Sequence, residues 1–150
     1  MFHGTTERWA EHIVNNGQRA DMGRGGSSAL GPGLYLTPRR SIAEGYAQTR
    51  SMNSGWNGRD YVERPAVVEG LLDSSARVHH YSDADDDEVR AAVHGNLPDD
   101  YGRALLNFNA RIRKDGYNVM EAGGGMHVAI RPNVFLPTKV HFHDGTVNLR

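Results

Sequence analysis

His3, Gly4 and Thr5 stand together at the head of the chain. An imidazole donates or accepts a hydrogen bond as its protonation allows. A glycine beside it removes a side chain, so that a ligand can lie against the main chain. Further on, GLYLT reads as a short strand in which Tyr35 is flanked by Leu34 and Leu36. Side chains alternate along a strand, so the leucines face one way and Tyr35 the other. The helical pattern SIAEGYAQT follows and carries Tyr46. Two facing tyrosine rings make a slot for a flat aromatic ligand, each stack worth about 1 kcal/mol beyond area burial. Taken singly, each residue reads as a core or rim side chain. Taken together they point to a binding site.

Elements must hold these residues in place. A segment beside a terminus frays unless it is tied into a sheet or a site, so Met1 to His3 is expected to be a strand locked into the core. A helix is expected over 5–16, with Thr5 or Thr6 as cap, Glu7 in the first turn, Trp9 and Ile13 on one face and Gly17 at the end. The glycine- and serine-rich stretch 18–33 reads as a loop, and 18–32 as a mobile flap beside the ligand slot. Ser41 and Glu44 have capping-box spacing and predict a helix over 41–50, followed by a loop over 51–64. PAVVEGLLD reads as a strand interrupted at Gly70.

SDADDDEVRAAVHGN predicts a short helix with acids at its head, where the macrodipole favours them. The strongest helical pattern is DDYGRALLNFNARIRKDG. Asp99 or Asp100 would cap it, Ala104, Leu105, Phe108 and Ile112 form its apolar face, and Gly116 ends it. Three strand-like runs follow, YNVMEA, MHVAIR and VFLPTKVHF, with turns at Gly123–Gly125 and Pro132–Asn133. Strands that follow one another without helices between them predict an α+β fold with a largely antiparallel sheet core and flanking short helices.

The 150 residues suit one domain spanning 1–150. Hydrophobic residues at 38% and 18 glycines describe a loop-rich globular chain. A net charge of −1 gives no bulk attraction to nucleic acid or an anionic membrane. Without cysteine, disulfide and thiolate chemistry are excluded. No run of membrane-spanning length and no signal-peptide pattern occur, so a cytoplasmic protein is expected. No metal site is expected. The acid run reads as a solvated helix start. In HFHD, His141 and His143 share one face of an expected exposed edge strand, and a metal would need a third ligand. His79 and His80 carry no pattern, and Glu63 reads as a loop charge.

FHGT, a helix, and then GPGLYLTPRRSIAEGYA resemble the diphtheria-toxin-like ADP-ribosyltransferases, a group that includes the poly(ADP-ribose) polymerases. The likeness is strongest over 1–50, and DGYNVMEAGGGMHVAIRP resembles the later strands of that family. The resemblance implies a split, mainly antiparallel sheet core and NAD as substrate. It places His3 on the ribose, Gly4 main chain and Ser41 hydroxyl on the nicotinamide carboxamide, and Tyr35 and Tyr46 on either side of the nicotinamide ring. Thr5 and Met126 fall within the same set of NAD-binding positions. Met126 stands where the family usually has a glutamate. Either Glu121, on the preceding strand, serves in its place, with Glu69 ranked behind it, or the site works without the acid. His3, Tyr35 and Glu121 are thus the expected catalytic residues.

The implied activity is mono-ADP-ribosyl transfer to a macromolecular acceptor, in the manner of a bacterial toxin or phage effector. Three other readings use the same residues. They are an NAD glycohydrolase, an NAD-dependent RNA 2′-phosphotransferase drawing on Arg19, Arg24, Arg39 and Arg40, and a non-catalytic module that binds NAD or ADP-ribose.

Overall fold

The chain begins as a strand, β1 (Phe2–Thr6), which passes directly into helix α1 (Glu7–Asn16). The computed structural model describes residues 1–17, 30, 31, 33–55, 62–93 and 98–149. The expected flap falls mainly on 18–29 and 32, outside the described residues. Ala10 and Ile13 bury one face of α1, and Gly17 closes it at φ 74°. The Thr6 hydroxyl does not cap the helix but donates to Glu63 Oε2 at 2.7 Å.

After β2 (Leu34–Leu36) comes α2 (Arg40–Ser54), longer than its sequence pattern. The expected capping box is absent, because Arg39 is the N-cap and Glu44 pairs with Arg40 at 2.8 Å. Four residues assigned to a loop, 51–54, are helical because tertiary contacts hold them. The buried Ser51 hydroxyl donates to the Glu63 carbonyl at 2.6 Å, and the Glu63 N–H donates to Ser54 Oγ at 2.8 Å. Glu63, read from sequence as a loop charge, is only 5% exposed, and Arg8 approaches its other carboxylate oxygen at 3.7 Å. It ties β1 to the end of α2. Glu63→Ala leaves the buried Thr6 hydroxyl unpaired and is expected to cost about 2 kcal/mol. Urea denaturation checks this, and a loss below about 0.5 kcal/mol, the level of an ordinary surface change, would refute the assignment.

β3 (Pro65–Leu72) carries a bulge between Glu69 and Gly70, at the expected interruption. A Cβ at Gly70 would stand 2.4 Å from the Leu136 carbonyl and 2.7 Å from the Phe135 ring. β4 (Val78–His80) and α3 (Asp83–Ala91) follow. Ser82 and Asp85 form a reciprocal capping box on α3, at a spacing that the run of acids around it masks in the sequence. α4 (Pro98–Lys114) starts ahead of the expected aspartate caps, with proline in its first turn, where the missing N–H is harmless. β5 (Val119–Ala122), a 3-10 turn (Gly123–Gly125), β6 (Met126–Ala129), β7 (Phe135–Phe142) and β8 (Gly145–Asn148) complete the order.

The fold is α+β, and the described residues form two four-stranded sheets in the orders β1-β3-β7-β8 and β2-β6-β5-β4. All strand pairs are antiparallel except β4–β5. β7 is interior and β8 is the edge, so the expected edge strand lies one place further along. One core packs the sheets together through Ile13, Leu34, Leu36, Val68, Phe135 and Val140. A second lies on the other face of the β2 sheet, where Met120 and Val128 meet Leu105, Phe108 and Ile112 of α4 and Val89 of α3. Each such side chain contributes about 1.5–3 kcal/mol by leaving water.

Candidate functional site

Among the described residues, the two sheets meet through a single backbone bridge. Phe2 N–H donates to the Thr37 carbonyl at 2.8 Å and Thr37 N–H to the Phe2 carbonyl at 2.9 Å. In an antiparallel strand, the N–H and C=O of one residue point to one side and those of the next to the other. Phe2 therefore points outward from β3, and so does Gly4. Continued pairing would set Gly4 against Tyr35, but the strands part after the one bridge. The Tyr35 carbonyl instead accepts a hydrogen bond from His3 Nδ1 at 2.8 Å. A carbonyl only accepts, so that ring nitrogen carries the proton. The imidazole is 3% exposed and acts as a pin across the opening between the strands.

Strand alternation also tells which side chains share a face. Phe2 and Thr37 are bridge partners, so Gly4, Tyr35 and Thr37 lie on one side and His3, Leu34 and Leu36 on the other. α2 covers β1 on the Gly4 side. A Cβ at Gly4 would stand 1.9 Å from the Ala43 carbonyl oxygen and 2.8 Å from the Ala47 nitrogen. Glycine is needed here for the helix to approach the strand, a cause distinct from the ligand contact expected at this position. Tyr46 lies beside Ala47 on the flank of α2 opposite Ser51. Because Ser51 bonds the segment leading into β3, Tyr46 faces away from β3 and towards the opening. It is 53% exposed.

Tyr35 and Tyr46 thus belong to the same side of the opening, although no direct ring contact joins them among the described residues. The Tyr35 hydroxyl donates to the Gly31 carbonyl at 2.7 Å and accepts from Leu30 N–H at 3.1 Å. Asn109 Nδ2 donates to the Leu30 carbonyl at 3.1 Å, so Tyr35 and Asn109 together fix the chain leading into β2. No spacing in the sequence marks Asn109 for this role. Ser41 is exposed in the first turn of α2.

Met126 and Glu121 lie on opposite faces of the β2 sheet. Leu36, His127 and Glu121 are cross-strand neighbours in one row, on the face of the shared core. Met126, one residue before His127, is on the face of Tyr35, at the rim beyond Thr37. Glu121 stands two strands from β2, about 10 Å away. Its carboxylate meets His80 Nδ1 at 2.7 Å. Gly4, Tyr35 and Met126 therefore share one face beside the opening that His3 spans, Tyr46 lies on the flank of α2 turned away from β3, Ser41 lies exposed on α2 away from its buried face, and Glu121 stands apart. Thr5 is fully buried on the His3 face, and its hydroxyl finds no hydrogen-bond partner among the described residues.

Glu69 has its own surroundings, on β3. Its carboxylate meets His141 Nε2 at 2.7 Å and Lys139 Nζ at 3.7 Å. The hydrogen bond from His141 is the main reason that its pKa lies below the ordinary value. Lys139 and the Met1 amine add to this, against partial desolvation. A carboxyl whose pKa is lower folded than unfolded adds stability above its unfolded value. That stability is lost as pH falls through the folded value. Wild type is therefore expected to lose more stability than Glu69→Gln between about pH 5 and pH 3. Equal acid sensitivity in urea titrations would contradict this.

No protein-family description, curated protein or solved structure matches this chain. No helix among the described residues is long and apolar enough to cross a membrane. No cluster of three or more metal-ligating side chains occurs among them.

Proposed function

We propose that this chain binds NAD at the opening between β1 and β2 and cleaves its nicotinamide–ribose bond, transferring a single ADP-ribose to a macromolecular acceptor. The observation that carries the reading is the single Phe2–Thr37 bridge, beyond which Gly4 turns its N–H and C=O outward with Tyr35 and Tyr46 on one side. A carboxamide pairs with one outward N–H and one outward C=O, and a flat pyridinium stacks on tyrosine. The His3 pin holds the geometry before a ligand arrives, and such preorganisation favours a strained ribosyl transition state.

Met126 favours a second reading. A thioether does not stabilise a ribosyl cation, and Glu121 is engaged elsewhere, so the same opening suits a module that holds NAD or ADP-ribose without turnover. A phosphate-removing role has less support. Of its four arginines, Arg19 and Arg24 lie outside the described residues, Arg39 is exposed at the N-cap of α2, and Arg40 is paired with Glu44.

The test is to incubate the protein with NAD and follow free nicotinamide. Release without acceptor defines a glycohydrolase, and release only with an added acceptor defines a transferase. Binding without release defines a module. Neither binding nor release removes the proposal.

A further inference from the structure

On the Gly4 face of the first sheet, running from β3 to its β8 edge, three side chains form a continuous hydrogen-bonded chain separate from the tyrosines of the opening. His141 lies on β7 and is paired in register with Thr146 of the edge strand β8. His141 Nδ1 is 3.0 Å from Thr146 Oγ1, and its Nε2 is 2.7 Å from Glu69 Oε2. The proton positions follow from the partners. An ionised carboxylate only accepts, so Nε2 carries the hydrogen and donates to Glu69. Nδ1 of the neutral ring then has a lone pair, and the Thr146 hydroxyl donates to it. A hydroxyl directed at an imidazole, itself oriented by a carboxylate, is the arrangement that activates an oxygen nucleophile.

Exposure follows the same order. The His141 side chain is 10% exposed and Glu69 28%, whereas Thr146 lies at the surface. The base is sheltered and the nucleophile is accessible. The backbone adds a suitable donor. Leu149 N–H points inward to the Thr138 carbonyl, so by alternation Val147 points inward and Thr146 points its own N–H outward from the edge. A carbonyl attacked by Thr146 Oγ1 would develop its negative oxygen beside that N–H.

We infer that Thr146, His141 and Glu69 form a hydroxyl-activating relay, and that Thr146 Oγ1 is a nucleophile towards small activated acyl esters. The Thr146 proton passes to His141 Nδ1 as Oγ1 bonds to the acyl carbon. The ester C–O bond breaks and the leaving alcohol takes the proton from His141. Water then attacks the acyl-threonine with the same base and releases the carboxylic acid. The site lies on an open strand edge, so it selects for the reactivity of the ester and not for a large acyl group.

The experiment uses the full chain with p-nitrophenyl acetate, following p-nitrophenolate release, with mass spectrometry to locate the acetyl group. The expected result is acetylation of Thr146 and a release rate roughly a hundredfold above that of Thr146→Val, the scale of general-base assistance. His141→Gln and Glu69→Gln should fall towards the Thr146→Val rate while keeping a cooperative thermal transition. Thr146→Ser, which keeps the hydroxyl, should retain the activity. Label on Lys139 or the Met1 amine in place of Thr146 overturns the inference, as does equal release by wild type and Thr146→Val.

Discussion

Gly4→Ala is expected to be the most damaging glycine-to-alanine change among the described residues. The added Cβ would stand 1.9 Å from the Ala43 carbonyl oxygen and 2.8 Å from the Ala47 nitrogen. Both are backbone atoms in the middle of α2, so no side-chain rotation relieves the clash. The helix must move away from β1, and Ala43, Ala47 and Val67, which form a small core there with Phe2, lose their packing. Overpacking of a rigid core costs about 1–3 kcal/mol, and displacement of a helix adds to that, so a loss of at least about 3 kcal/mol is expected. Chemical denaturation measures it, with Gly45→Ala as control, because a Cβ at Gly45 meets nothing within 4 Å. Alanine favours a helix over glycine by about 1 kcal/mol, so the control should be stabilised. Two variants of similar stability would mean that α2 does not lie against β1 as described.

The second large effect is a gain. Met126 is on the Tyr35 face at the rim of the opening, and Glu121 is on the other face, bound to His80. If the opening binds NAD, Met126→Glu places a carboxylate beside the ribose, where positive charge develops. An electrostatic partner of this kind is worth about 3 kcal/mol, roughly a hundredfold in rate. Nicotinamide release by Met126→Glu is expected to exceed wild type by about that factor, with NAD affinity little changed, because ground-state NAD carries no ribosyl cation. Glu121→Gln should leave release within twofold of wild type. A hundredfold loss on Glu121→Gln, with no gain from Met126→Glu, would return the catalytic role to Glu121.

How much of this was legible beforehand follows from the kind of signal each element carries. The α+β class, the strand at Phe2 and the bulge at Gly70 follow from alternation and from glycine placement. These are local properties. The length of α2 was not legible, because Ser51 and Ser54 are held by Glu63, and a contact across a loop has no periodicity. Glu63 reads as a loop charge for the same reason, since its burial depends on Thr6, which is distant in sequence. At the site, alternation placed Tyr35 opposite Leu34 and Leu36. The side of the sheet on which Glu121 falls needed the β5–β6 register, which the glycine turn sets and composition does not. The hydroxyl–imidazole–carboxylate chain needed the partnering of β3, β7 and β8, three strands that sequence order alone does not align.

The central claim is that NAD binds on the side of the opening shared by Tyr35 and Tyr46. Isothermal titration calorimetry of wild type and Tyr46→Ala with NAD tests it most directly. Tyr46 is 53% exposed, so its removal leaves the core intact and isolates the ligand contact. Saturable binding by wild type and about fivefold weaker binding by Tyr46→Ala are expected, the equivalent of one lost aromatic stack of about 1 kcal/mol. No heat of binding by wild type at millimolar NAD, or equal affinity in the two proteins, would contradict the claim.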